Sequence, residues 1–267
     1  MHACCCLAPR VSSADMTQTF VKRPNEYRAA EAEAAGLRWL AEASECVPAV
    51  VSLNSERNEL ETAYVESAAP TPEVARRAGR ELARIHGAGA PAFGAPPQGW
   101  DGPNYIGTEQ QECTPSDQWG EFYTRQRVEP FAQAAHRAGN LADDELAEVM
   151  RACEAIRATE WNLRPARIHG DLWTGNLLFG TDAPVFIDPA AHGGHPHTDL
   201  AMLDLFGAPH FDEIIAGYHG VSPLPKNWRE LIPMHQLHPL AVHSLTHGPA
   251  YAGPLQRAAL ATLRILG

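Results

Sequence analysis

The stretch HGDLWTGN at residues 169–176, followed by LLFGTDAPVFIDP ending at Pro189, holds the residue types that phosphoryl transfer requires. That reaction needs a carboxylate to take the proton from an attacking hydroxyl, and two oxygen ligands to hold magnesium on the nucleotide phosphates. Asp171 and Asn176 are separated by four residues, the spacing of a kinase catalytic loop in which the Asp is the base and the Asn a metal ligand. Asp188 comes after a segment that reads as a hairpin turning at residues 180–183. Such a hairpin folds the chain back, so Asp188 can approach the metal from the other side. Each residue has a plainer reading when taken alone: Asp171 and Asn176 stabilise a turn, and Asp188 caps the next element. The strand before the loop, the hairpin after it and the acid at its end favour the chemical reading jointly.

Short apolar runs at residues 167–169, 177–179 and 185–187 read as the strands that flank this loop. Far upstream, TQTFVK at residues 17–22 reads as a strand, with Asn25 placed to cap a helix whose buried face is Tyr27, Ala30, Ala34, Leu37 and Leu40. Residues 49–53 and 60–65 read as an antiparallel pair. Thr71 and Pro72 open a helix with the apolar stripe Val74, Ala78, Leu82 and Ile85, which Gly87 ends. Residues 87–116 are rich in Gly and Pro and read as an extended loop that contacts substrate. Helices are expected over 117–138 and 143–160 and through most of the C-terminal third.

The chain has 267 residues, 45% hydrophobic and 20% charged, enough for one large domain or two lobes. Its formal net charge of −11 repels nucleic acid and anionic membrane surfaces and suits a cationic substrate better. No apolar run is long enough for a membrane span or a signal peptide, so the cytosol is the expected compartment. The six cysteines fit reduced thiols: Cys46, Cys113 and Cys153 are scattered, and Cys4, Cys5 and Cys6 are too crowded to pair with one another. Met16 is an alternative start to Met1. Zinc ligation by His192, His195 and His197, or by His235, His238, His243 and His247, is a competing idea, but their spacings match no defined metal motif.

HGDLWTGN, the IDP at 187–189 and HPHTDLAMLDLFG at 195–207 resemble the fructosamine and ketosamine kinases, relatives of the aminoglycoside phosphotransferases, over most of the chain. The resemblance implies a two-lobed, protein-kinase-like α+β fold: an N-terminal nucleotide-binding lobe over residues 1–66, a hinge near residues 63–66, and a mainly helical catalytic lobe over 67–267. It implies that Lys22 in TFVK holds the phosphates of ATP, that Glu33 in EAEAAGL pairs with it, and that Mg2+ is bound by Asn176 and Asp188. Read without the family, Lys22 is a solvated strand-end lysine and Glu33 one of several helix carboxylates. The resemblance further places the first histidine group near the substrate, and Asp199 as a cap of the next helix that braces the catalytic loop. Trp173 is a packing residue that could also face the substrate. The acceptor it implies is a small-molecule ketosamine, a fructosamine or ribulosamine adduct of an amine, with no nucleic-acid or membrane partner.

One departure stands out. Family members place a glycine-containing loop ahead of the strand lysine to cover the triphosphate, and here no glycine precedes Gly36. A truncated N-terminal lobe and weak ATP binding are therefore expected. The alternatives are a non-catalytic kinase-like binding protein and an aminoglycoside phosphotransferase.

Overall fold

The computed structural model describes Arg10, Val11 and residues 18–267. QTFVK alternates its burial with the period of two that a half-covered sheet requires, and forms β2 (Gln18–Lys22). It lies in an antiparallel sheet in the order β1-β2-β4-β3, with β1 (Arg10–Val11), β3 (Val50–Asn54) and β4 (Glu59–Ala63). The glycine-free segment ahead of Lys22 otherwise lies outside the described residues.

Helix α1 (Ala29–Ala41) packs on this sheet through Ala30, Ala34, Leu37 and Leu40, as its periodicity implies. Its start differs from expectation. Tyr27 stands 76% exposed, and Asn25 is not the cap. The chain enters α1 through Arg28 in the left-handed region (φ 55°), and the cap comes from the β3–β4 turn instead. There Asn58, itself left-handed (φ 47°), accepts from Ala30 N (3.0 Å) and donates to Pro24 O (2.8 Å) and Glu26 O (2.7 Å). One side chain thus ties the hairpin to the helix that carries Glu33.

The rest of the chain is mostly helical. Thr71 accepts from Val74 N and opens α2 (Pro72–Gly87) as its sequence implies. Residues 87–116 are not wholly loop, because β5 (Asn104–Ile106) pairs with β6 (Glu109–Gln111); three-residue strands are too short to show a period. The expected helix over 117–138 is α3 (Trp119–Tyr123), a π-helical turn (Thr124–Val128) and α4 (Glu129–Arg137) in succession. After α5 (Asp143–Ala158) come β7 (Ala166–Ile168), the hairpin β8 (Leu177–Phe179) and β9 (Pro184–Phe186), and β10 (His192–Gly194), which pairs with β7. Helices α6 (His197–Leu205), α7 (Phe211–His219), α8 (Ile232–Thr246) and α9 (Ala252–Leu266) complete the chain.

The architecture is therefore a small strand-rich part and a larger helical one. Its core has two bodies: one joins α1, α2, α6, α7 and the β8–β9 hairpin, and the other gathers α3, α4, α5, α8 and α9. Helices α2 and α7 touch backbone to backbone. A Cβ on Gly79 would lie 1.8 Å from Ile214 O, and one on Gly217 would lie 1.9 Å from Arg76 O. Cys46, Cys113 and Cys153 are free thiols, and among the described residues no helix is long and apolar enough to cross a membrane.

Replacing Asn58 tests the borrowed cap. Asn58→Gly keeps the backbone free to stay left-handed but removes three hydrogen bonds, and is expected to cost about 1–2 kcal/mol. Asn58→Ala adds a strained backbone and is expected to lose about 1 kcal/mol more. Thermal melts that order the three as wild type, Gly, Ala support this; equal midpoints for Gly and Ala would contradict it.

Candidate active site

Strand β7 delivers the chain to His169 and Gly170, where the loop passes close to the strand that comes after Asp188. Gly170 takes φ 83°, and a Cβ there would sit 2.4 Å from Ala190 O, so only glycine fits. The two amides at this bend, His169 N and Gly170 N, donate to the carboxylate of Asp199 (2.8 and 2.9 Å). His86 at the end of α2 donates to the same carboxylate through Nε2 (2.9 Å), and its Nδ1 meets the Tyr218 hydroxyl (2.9 Å). Burial works against ionisation of Asp199, but the His86 and Gly170 hydrogen bonds outweigh it and hold the carboxyl below the usual range. Asp199 braces the loop as expected, but from inside the first turn of α6, whose cap position is Pro196; it is not the cap.

His169 then locks the loop to the far side of the hairpin. Its Nε2 donates to Ile187 O (2.8 Å), and its Nδ1 accepts from Asp171 N (3.3 Å), which fixes the ring as the neutral Nε2–H form. Pairing of Leu177 with Phe186 and the bond from Ile187 N to Asn176 O (3.0 Å) set Asn176 beside Asp188, as the hairpin reading requires. Asn176 Nδ2 donates to Asp171 O (2.8 Å), to Asp171 Oδ2 (3.3 Å) and to Asp188 O (3.5 Å). Its amide nitrogen is thereby spent inside the loop, leaving Oδ1 as the end free for a cation.

Asp188 occupies the left-handed region (φ 56°), a conformation that costs a non-glycine residue energy and recurs at functional sites. Lys22 lies between two carboxylates: its Nζ is 2.9 Å from Glu33 Oε1 and in direct contact with Asp188 Oδ1. Burial alone would lower the lysine's proton affinity, but the charges of Glu33 and Asp188 raise it above the ordinary value, so Lys22 stays cationic. Gly36, one turn beyond Glu33, lets α1 close on this loop, since a Cβ there would lie 3.2 Å from Pro189. All five residues singled out in the sequence therefore meet in one place. Asn176 Oδ1 and the Asp188 carboxylate are hard oxygen donors, the set that suits Mg2+ rather than a softer metal, and Lys22 is the cation available to phosphate.

Desolvation, with the charges of Asp188 and Asp199 adding to it, raises the Asp171 carboxyl to about 7. Trp173 is 42% exposed, with its ring over Gly175 and edge-on to Phe206. His192 in β10, His195 just after it and His197 at the start of α6, the group expected near the substrate, all have buried side chains. Sequence reasoning misses His86 and Tyr218. The signal available for His86 is a polar residue continuing the buried stripe of α2.

The Asp171 shift carries a stability consequence with a definite sign. Between about 4, where an unfolded Asp titrates, and 7, the folded chain holds a proton that the unfolded chain has released. Stability contributed by this group therefore falls as pH rises through that window. Without nucleotide or magnesium, Asp171→Asn is expected to melt higher than wild type at pH 8, with the gap closing towards pH 4. A variant melting lower than wild type at pH 8 would show that Asp171 does not carry this strain.

Solved structures and sequence relatives give this geometry a context. A structure from Thermobifida fusca assigned as a fructosamine-3-kinase superposes with a TM-score of 0.88 at 41% identity, covering 96% of this chain and 93% of that one. The complex of gentamicin with an aminoglycoside phosphotransferase shares the fold alone, at TM-score 0.57 and 15% identity, over 96% and 91% of the two chains. Among sequence relatives, proteins assigned as ketoamine kinases from Enterococcus faecium and Synechocystis sp. are 31% and 33% identical over 66% and 71% of this chain. The matched part spans 62% of each of those two relatives. The family model described as Fructosamine kinase matches residues 1–264, and the chain belongs to that family.

Proposed function

We propose that this chain is a phosphotransferase that moves the γ-phosphoryl group of ATP to a sugar hydroxyl of a ketosamine, such as a fructosamine or ribulosamine adduct of a small amine or lysine. The observation that carries the reading is the meeting of Lys22, Glu33, Asp171, Asn176 and Asp188 across two parts of the fold. Asp171 takes the proton of the acceptor hydroxyl, and its raised proton affinity suits a base that must accept a proton near neutral pH. Lys22, oriented by Glu33, contacts the nucleotide phosphates. Asn176 and Asp188 hold Mg2+, which when bound supplies positive charge to the phosphoryl oxygens. The hinge falls near residues 63–66, where the chain leaves β4 after Tyr64 N donates to Gln18 O (3.0 Å). The relatives assigned as ketoamine kinases support the ketosamine acceptor.

A non-catalytic binding protein is the second reading, favoured by the absence of glycine before Gly36. It leaves two costs without a purpose: the left-handed backbone of Asp188 and the partly desolvated carboxyl of Asp171, whose proton affinity is raised.

Purified protein with Mg-ATP and a panel of fructosyl-lysine, ribulosyl-lysine, free amines and aminoglycosides, read as phosphorylated product by mass, tests the acceptor. Ketosamines are expected to gain phosphate and aminoglycosides are not; the opposite pattern would reassign the substrate. Asp171→Asn is expected to lower kcat about 10²–10⁴-fold with nucleotide affinity little changed. Asp188→Ala is expected to raise the Mg2+ requirement as well as slow turnover. Wild-type kcat should fall on the acid side of neutrality as the base takes up its proton, at a pH below the value of about 7 that Asp171 has with the metal pair empty, because bound Mg2+ lowers nearby proton affinities. A flat profile across that range would remove Asp171 from the rate-limiting proton transfer.

A further inference from the structure

Three imidazoles, none of them among the phosphoryl-transfer residues, lie together in the helical part. His195 comes just after β10, His197 opens α6, and His235 projects from α8, with exposures of 5%, 8% and 0%. Their ring centroids are 4.4 Å (195 to 235), 4.7 Å (195 to 197) and 5.8 Å (197 to 235) apart, with interplanar angles of 44°, 65° and 75°. One ring nitrogen from each lies within 4.8 Å of the other two. Two atoms here are buried with no hydrogen-bond partner among the described residues: His197 Nδ1 and His235 Nε2. Trp119 packs against His195 and His235 at 5.2 and 5.3 Å, and its Nε1–H is likewise buried without an acceptor. Buried polar atoms left unpaired are costly, and three in one place mark a missing partner.

We propose that His195, His197 and His235 bind one zinc-type divalent cation that fastens the start of α6 to α8. An all-imidazole donor set selects a borderline transition metal over Mg2+ or Ca2+, which separates this site chemically from the oxygen donors Asn176 and Asp188. Tetrahedral coordination at metal–nitrogen distances of about 2.0–2.1 Å puts ligand nitrogens about 3.3 Å apart, so movements on the order of 1 Å close the cluster. Thr198 Oγ1 lies 3.4 Å from His235 Nδ1, the outer hydrogen bond that leaves Nε2 as a ligand. Burial, with the charges of neighbouring histidines adding to it, holds His195 and His235 well below the usual histidine range, so both rings are neutral. The Trp119 Nε1–H can donate to a metal-bound water or hydroxide in the fourth position.

One interaction opposes capture. His195 Nδ1 accepts from His197 N (3.0 Å), and this hydrogen bond is given up when the His195 ring presents a lone pair to the metal. Against it stand metal bonds to two nitrogens that otherwise have no partner. The structural consequence reaches the active site through one element, because α6 also carries Asp199, two residues past His197.

The test uses the full chain stripped with a chelator and titrated with Zn2+, or with Co2+ as a spectroscopic probe. One equivalent of tightly held Zn2+, intense visible bands of four-coordinate Co2+, and a higher melting temperature with Zn2+ are expected. His235→Phe and His197→Gln should each abolish all three effects. X-ray absorption of the zinc-loaded wild type reports ligand type without any variant, and three imidazoles are expected. Zinc–sulfur scattering would move the metal to the cysteines, with Cys4, Cys5 and Cys6 the obvious rivals, and overturn the proposal. Substoichiometric zinc at equimolar supply, or variants that bind as wild type does, would equally overturn it and leave a buried water as the missing partner.

Discussion

Asp199 is fully buried, and the catalytic loop takes its shape from the three donors that surround its carboxylate. An isolated buried carboxylate costs several kcal/mol, so the chain must bring donors to it or the loop cannot fold as observed. Two donors are the amides at the bend through Gly170, whose positive φ aims both at one acceptor. The third, His86, is available because α2 and α7 approach until their backbones touch at Gly79 and Gly217, which also places the Tyr218 hydroxyl on the other nitrogen of the ring. A methyl group at either glycine would separate the helices and withdraw His86. The position of Asp171 thus depends on the packing of two helices that contribute nothing to the reacting groups.

Lys22 imposes a second constraint, running between the two parts of the fold. Its ammonium is shared by Glu33 on α1 and Asp188 after the hairpin, so the sheet, the helix and the loop at Asp188 are held by one cation. The sharing requires α1 to sit at a fixed height over both. Asn58 fixes one end of that helix from the β3–β4 turn, and the missing side chain of Gly36 lets its middle rest on Pro189.

How much a sequence reveals depends on how local each signal is. Asp171, Asn176 and Asp188 lie within eighteen residues and are joined by a single hairpin, so spacing and turn chemistry are enough to bring them together. Lys22 and Glu33 rest on resemblance alone, because nothing in residues 17–41 says that the strand and helix will face a loop more than a hundred residues away. Asn25 looks like a cap by type and position, yet the left-handed turn at Arg28 gives that role to Asn58, twenty-eight residues beyond Ala30. His86 reads as one more position on an amphipathic helix, since its partner Asp199 is distant in the chain. Spacing argues against a metal at His195, His197 and His235, but spacing carries little information when a third ligand comes from another helix.

The charges at the site also bind its two chemical tasks together. Asp171 keeps its proton to about 7 because it is desolvated and faces the negative charges of Asp188 and Asp199. Asp199 is committed to its donors and cannot relieve this, whereas Asp188 pairs, among the described residues, with Lys22, which Glu33 also claims. Once Asp188 ligates a divalent cation it no longer presents a bare charge to Asp171, and local proton affinities near such an ion fall. Asp171 should therefore become a competent base at lower pH when the metal-binding pair is filled than when it is empty. Removing Asp188 would act on both sides of this balance, deleting a proposed metal ligand and one cause of the raised Asp171 pKa together. A pH profile measured only at low Mg2+ would consequently report the metal site and the base as a single titration.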